Sequence, residues 1–354
     1  MPRNGKLVRI TLGVAVFAGV AALAVATAGA ASAKRSATSL TGAGSSLVAP
    51  AVSGVWGPAY SSAKGVNVNY SSIGSGKGIA AITARTVDFG ASDAPLTPDQ
   101  ATACKGCVQV PWALAGTGPV ENIPGINGLQ LKLTGAVLAK IYLGQFTNWN
   151  DPAVKKLNPK LNLPDKTITV VHRSDGSGDT YAFTDYLSKV SKKWASQVGS
   201  ATTVNWPTGV GQSGNSGVAA QVNSTPGSID YVSTFYVIQN HLHMVRMKNL
   251  AGHYVYPSVK SIESAAQVLK KVPKHTDAIS ITNPPKSKKF ANAWPISTFT
   301  YVIVPSDSAK GADLRAFIGW ALQAKQQQAI QHLVFAPLPK LVVTAAKQRL
   351  KRIQ

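Results

Sequence analysis

Apolar and polar residues alternate along VNVNYSSI (66–73), the period of a strand with one covered face. DKTITVVHR (165–173) is instead apolar through its centre, which fits a strand buried on both faces. Directly after it, DTYAFTDYLSKVSKKWA (179–195) carries Tyr181, Phe183, Tyr186, Leu187, Val190 and Trp194 at helical spacing and predicts one helix. GKGIAAITART (76–86) predicts a short helix with a glycine-rich start, and GSIDYVS (227–233) a short strand behind a Pro-Gly turn. Near the end, Leu314, Phe317, Ile318, Ala321 and Leu322 share one helix face. Strands alternating with helices predict an α/β chain with mainly parallel sheets. No internal repeat is present.

Composition adds a size and a compartment. The 354 residues suffice for two domains, and 45% hydrophobic against 14% charged residues indicate a folded chain. Formal net charge is +22, and Glu121 and Glu263 are the only glutamates. Such a surface attracts anions in general: phosphate, nucleic acid, anionic membranes or wall polymers. At the N-terminus a basic stretch precedes the apolar, uncharged ITLGVAVFAGVAALAVATA, and Ala31-Ser32-Ala33 has the small-x-small form of a cleavage site. Residues 1–33 are therefore expected to be a signal peptide, with an uncleaved membrane anchor as the alternative, and the rest to be exported, periplasmic or extracellular. A Ser/Ala/Thr linker runs to about residue 38. Export permits disulfides. Cys104 and Cys107, the only cysteines, are expected to form a small structural one. Two ligands are too few for zinc, and CKGC lies in a turn rather than at the helix start that a redox pair would occupy.

Candidate chemistry sits in four loops. TGAGSSLVAP (41–50), SSIGSGKGIAAI (71–82) and RSDGSGDTYAF (173–183) place small residues before a helix, where unpaired N–H groups and the helix dipole favour an anion. DFGASDAPL (88–96) brings a carboxylate among small residues. Singly, each is also plain turn chemistry. GSGKG is no P-loop, because Gly78 follows Lys77 and Ser71 stands where a glycine belongs, and no dinucleotide fingerprint is present. Metalloprotease and nucleophile-elbow motifs are absent. His241 and His243 are expected on one face of a strand as a solvated pair without an acidic partner, and His172 as a packing or rim residue.

In order, LTGAGSSLVAPAV, NYSSIGSGKGIAAI, TVDFGASDAPL, IYLGQFTNWNDPAVKKLNPKLNLP, VVHRSDGSGDTYAFTDYLSKV, GQSGNSGVAAQV, PGSIDYV and AWPIST resemble the blocks of the phosphate-binding proteins of phosphate ABC transporters, the PstS family. The resemblance runs from about Leu40 to the last helix. It implies a two-domain periplasmic-binding-protein fold of type II: two mixed, mainly parallel sheets flanked by helices, with the ligand in the interdomain cleft. Domain I would be 38–113 plus 296–354, and domain II 115–292.

The resemblance also implies roles. Ser46 and Leu47 would contact phosphate by hydroxyl and backbone N–H, and Ser75 by hydroxyl. Asp93 would accept from a protonated phosphate oxygen. Arg173, oriented by Asp175, would pair with the anion, and Ser177 and Gly178 would donate at the helix start. Asp179 occupies a phosphate-binding position where the family has a threonine, and is expected either to cap the following helix or to face the cleft. Ser46 and Leu47 replace the family's Thr-Phe, and Lys77 interrupts its glycine pattern. The implied partners are inorganic phosphate and the permease and ATPase subunits of an ABC importer. No cofactor, metal, nucleic acid or catalysis is implied, and the protein would be a monomer. The alternatives are the same fold with another oxyanion or a phosphorylated compound, an exported phosphatase, and a basic surface adhesin.

Overall fold

A computed structural model describes residues 39–273 and 279–354. The expected signal peptide and linker lie outside the described residues. The strands are β1 (Ser39–Gly44), β2 (Asn67–Ser72), β3 (Phe89–Ser92), β4 (Cys107–Asn122), β5 (Lys132–Thr134), β6 (Thr169–Arg173), β7 (Val210–Gln212), β8 (Ser228–Ser233), β9 (His243–Met244), β10 (Arg246–Lys248), β11 (Tyr254–Val255) and β12 (Ser297–Pro305). The helices that position the site and its surroundings are α1 (Ser75–Thr83), α2 (Pro98–Ala103), α3 (Gly178–Val190), α4 (Gly214–Ser224) and α5 (Gly311–Ala321).

One sheet runs β2-β1-β3-β12-β4-β8-β6-β7, with β9 on the end of β4, while β5, β10 and β11 form a small second sheet. The outer strands on each side are parallel, β2–β1–β3 and β8–β6–β7, and the central ones, β3–β12–β4–β8, antiparallel. This is a mixed α/β fold.

β4 joins the two halves. Its residues Cys107–Gly116 pair with β12 and Thr117–Asn122 with β8. All of it but the two ends is buried, so no alternation marks it. Pro111 sits where the register with β12 slips at Thr300/Tyr301, leaving Trp112 as a bulge whose indole N–H donates to Thr300 Oγ1 at 2.8 Å.

One continuous hydrophobic core holds two aromatic groups. In one, Trp112 packs edge-on against Phe89 and against Phe317 of α5 within 6.3 Å, and Phe89 and Phe317 lie tilted at 48°. In the other, Phe183 of α3 stacks on Tyr231 of β8 at 4.3 Å, with Tyr142 and Trp206 against them. Stacking of this kind adds about 0.5–1.5 kcal/mol beyond burial, and it fixes a tyrosine that the site uses.

Two expectations are corrected. The helix over 179–195 is two helices: Ser191 leaves helical angles (φ −142°, ψ 109°) and its side chain caps a short helix Lys192–Gln197 by accepting from the Trp194 N–H. The histidines share no strand face. His241 is in a turn at φ 53°, and His243 alone lies on β9, with Nδ1 3.6 Å from the buried Glu121 of β4. A partner distant in sequence was invisible to a local search. His172 stacks on Trp206 at 4.8 Å, a packing residue.

Candidate functional site

Parallel strands deliver their following loops to one edge of a sheet. Here two sets do so against each other. One half supplies Ser45, Ser46 and Leu47 after β1, Ser75 at the start of α1 behind β2, and Asp93 just after β3. The other supplies Arg173 at the end of β6, then Asp175, Ser177, Gly178 and Asp179 into α3, and Asn215 at the start of α4 behind β7. Ser45, Ser46, Ser75, Asp93, Arg173, Ser177, Asp179 and Asn215 are each at most 4% exposed.

Arg173 is the fixed centre. Its backbone N–H donates to the Tyr231 hydroxyl at 3.1 Å, and Tyr231 is also bonded to Thr180 Oγ1 at 2.7 Å. The guanidinium donates from Nε and Nη2 to the two oxygens of Asp175 at 2.7 and 2.6 Å, a fork that fixes its plane. Nη1 reaches Asp179 Oδ2 at 3.2 Å. Asn215 Nδ2 donates to that same oxygen at 2.7 Å and to Ser46 Oγ at 2.9 Å, while its Oδ1 accepts from the Ser233 N–H at 2.9 Å. One asparagine thus ties the two halves together.

Asp93 faces this arrangement. Ser45 Oγ lies 2.7 and 2.6 Å from its two oxygens. Ser75 Oγ accepts from the N–H groups of Asp93 and Gly178, at 3.4 and 3.1 Å. The closeness depends on glycine: a Cβ on Gly178 would lie 2.4 Å from the Asp93 Cβ, and one on Gly74, at φ 88°, 2.3 Å from Asp175 Oδ2.

The sequence-derived candidates come together, with differences of detail. Ser177, in extended geometry, is the N-cap of α3 and accepts from the Thr180 N–H at 3.3 Å. Asp179 therefore does not cap the helix. A first-turn side chain points back past the helix start, which brings Asp179 to Arg173. Ser46 Oγ is held by Asn215, and the Leu47 N–H donates to Ser45 Oγ at 3.0 Å with its side chain buried in the core. Lys77 is exposed. Cys104 and Cys107 are disulfide-bonded to each other. Sequence reasoning missed Ser45, Asn215 and Tyr231. The SGN at the start of α4 (213–215) repeats the small-residue helix start of the other loops and is a usable signal for Asn215.

Two carboxylates, Asp175 and Asp179, bond to one guanidinium, and Asp93 and Asp230 feel its charge. Burial alone would raise Asp175, but the Arg173 bonds outweigh it and hold it below the usual range. Burial would likewise lower Arg173, and Asp175 and Asp179 more than offset it. Asp93 is pushed up to about 8, by burial first and then by the charge of Asp179, against the lowering effect of Ser45. Asp179 is also raised by burial, opposed by Arg173 and Asn215. Both carboxyls therefore hold a proton more tightly than an ordinary aspartate. Hydroxyls, backbone N–H groups and a guanidinium offer donors, and Asp93 and Asp179 offer acceptors or a proton. Such a set suits an oxyanion that itself carries hydrogens. Among the described residues no group of three or more His, Cys, Asp or Glu is placed to hold a metal.

Fold and site together define a solute-binding protein. A PBP superfamily domain matches residues 28–325. The phosphate-binding protein PstS of Xylella fastidiosa (strain Temecula1) is 42% identical over 307 residues, 86% of this chain and 82% of that one. The Haemophilus influenzae protein of the same name is 42% identical over 89% of this chain and 93% of its own. Among solved structures, a high affinity periplasmic phosphate-binding protein (PfluDING) bound with phosphate aligns with TM-score 0.70 at 20% identity, over 88% of this chain and 93% of that one. A putative phosphate ABC transporter substrate-binding protein from Clostridium perfringens aligns at 0.63 and 18%, over 85% and 100%. The chain belongs to the PstS phosphate-binding protein family within the PBP superfamily. It is a binding protein rather than an enzyme. No helix among the described residues is long and apolar enough to cross a membrane.

Proposed function

We propose that this protein is exported, captures inorganic phosphate between its two halves, and delivers it to the permease and ATPase subunits of an ABC importer. The observation that carries the reading is the meeting of Arg173 and Asp179 from one half with Asp93, Ser45 and Ser46 from the other in a buried cluster. An anion removed from water needs a donor on every oxygen. Ser46, Ser75, Ser177 and Arg173 supply them, joined by the N–H groups of Leu47 and Gly178 once the anion replaces Ser45 and Ser75 Oγ as their acceptors. Asp93 and Asp179 then accept from, or share a proton with, the protonated oxygens. The first turns of α1, α3 and α4 add their dipoles.

The change of partner along β4 at Gly116/Thr117 supports a hinge there, between lobes 38–113 with 296–354 and 115–292. Near-complete burial favours the free oxyanion over a phosphate ester, whose substituent would hold the lobes apart. Relatives that share the name PstS support the importer as recipient. Calorimetric titration of the exported form with inorganic phosphate and with glycerol phosphate tests the reading. Phosphate should bind one to one with the ester producing no saturable heat, and equal binding of the ester would overturn it.

A further inference from the structure

The cysteine pair is not a bare staple. Arg85 follows α1 and lays its guanidinium across the disulfide, with Nη1 3.4 Å from Cys107 Sγ and 3.6 Å from Cys104 Sγ. Three carbonyl bonds fix it there: Nη1 to Ile82 at 2.8 Å, and Nη2 to Cys104 at 2.9 Å and Lys105 at 3.2 Å. None of the ion pairs among the described residues involves Arg85, so its charge is not spent on a carboxylate. Backbone strain collects at the same place. Arg85 (φ 58°) and Lys105 (φ 42°) are two of the five non-glycine residues with positive φ among the described residues. Cys104 is fully buried against Ile79, Ile82 and Ile303, whereas Cys107 is half-buried.

We propose that Cys104–Cys107 is a redox-active disulfide, reduced by an exported dithiol and made reducible by Arg85. A thiolate of the dithiol attacks the more accessible Cys107 Sγ. The S–S bond breaks, and its electron pair leaves on Cys104 Sγ as a thiolate beside Arg85. The second thiolate of the dithiol then attacks its own sulfur in the mixed disulfide and expels Cys107 as a thiolate, also beside Arg85. Two electrons pass to the protein, the dithiol becomes a cyclic disulfide, and the protons of its two thiols go to solvent or to the cysteines. A fixed cation stabilises both leaving thiolates, which lowers the barrier and shifts the equilibrium toward the reduced form.

The test is equilibration of the full chain, native and without denaturant, in glutathione and dithiothreitol redox buffers, with reduced cysteines counted by alkylation and intact mass. The parent should be partly reduced across the glutathione range. Arg85→Gln, which keeps a side-chain donor but loses the charge, should lower the equilibrium constant for reduction about tenfold. Arg85→Lys should retain part of the parent's constant. A parent disulfide that glutathione leaves fully oxidised would overturn the proposal with no variant needed. So would the same constant for the parent and Arg85→Gln.

Discussion

Ser45 Oγ lies within hydrogen-bond distance of both carboxylate oxygens of Asp93, at 2.7 and 2.6 Å. The same oxygen accepts from the N–H groups of Leu47 and Val48 at 3.0 and 3.3 Å. One hydroxyl thereby shapes the first loop and aims the carboxyl. Ser45→Ala leaves buried polar groups without a partner and should cost about 1–3 kcal/mol of stability. Denaturant unfolding of the two proteins, at constant slope, measures it.

Arg173 is buried and its Asp175 fork sets its plane. Arg173→Ala removes the only cation in the cluster and leaves carboxylates facing the ligand. Phosphate affinity should fall about thirtyfold or more, from a loss of order 2–5 kcal/mol for a desolvated charged partner. Arg173→Lys keeps the charge but not the fork, and should fall between. Titration of both variants with phosphate checks the order, and Arg173→Lys equal to the parent would show that the fork is idle.

Asp179 stands beside Arg173 and shares the site with Asp93, and each carboxyl is raised by burial. Both are protonated longer than an ordinary aspartate, and deprotonation adds negative charge facing an anion. Phosphate affinity should therefore fall as pH rises through about 8, the value to which Asp93 is pushed. Asp179→Thr should flatten that fall and tighten binding at the alkaline end. Parallel curves for the parent and the variant, measured by calorimetry from mildly acidic to alkaline pH, would contradict it.

Glu121 is buried under β9, and burial pushes it up to about 8 from an ordinary 4.5. Its folded-state value is the higher one, so its contribution is complete below the unfolded value and is lost as pH rises through about 8. The thermal midpoint should decline across that window, and Glu121→Gln should decline less steeply. Melting curves of both proteins at several pH values decide this.

The site was more legible in the sequence than the sheet that carries it. Glycine and serine between a strand and a helix mark a helix start that can take an anion, and those loops do meet here. Chemistry at the level of single atoms was less legible. Ser45 and Ser46 are adjacent and chemically alike, and only the turn after β1 decides that Ser45 meets Asp93 and Ser46 meets Asn215. In the sequence Asp179 reads as a helix cap or a cleft residue, and Ser177 takes the cap. β4 was hidden because burial on both faces removes alternation, and because Pro111 and Pro119 look like strand breakers. Glu121 and His243 lie on different strands, and no local pattern could pair them.

The central claim is that Asp93 and Asp179 select an oxyanion carrying hydrogens. It is tested most directly by titrating the protein with phosphate and with sulfate above pH of about 8, the value to which burial pushes Asp93. Phosphate still brings a hydrogen there and sulfate brings none. The account predicts one-to-one phosphate binding with sulfate weaker by roughly a hundredfold, the consequence of leaving a buried acceptor unpaired against an anion. The gap should narrow at lower pH, where a protonated carboxyl can donate to sulfate, and in Asp93→Asn, whose amide can do the same. Equal affinity for sulfate and phosphate at the alkaline end would contradict it.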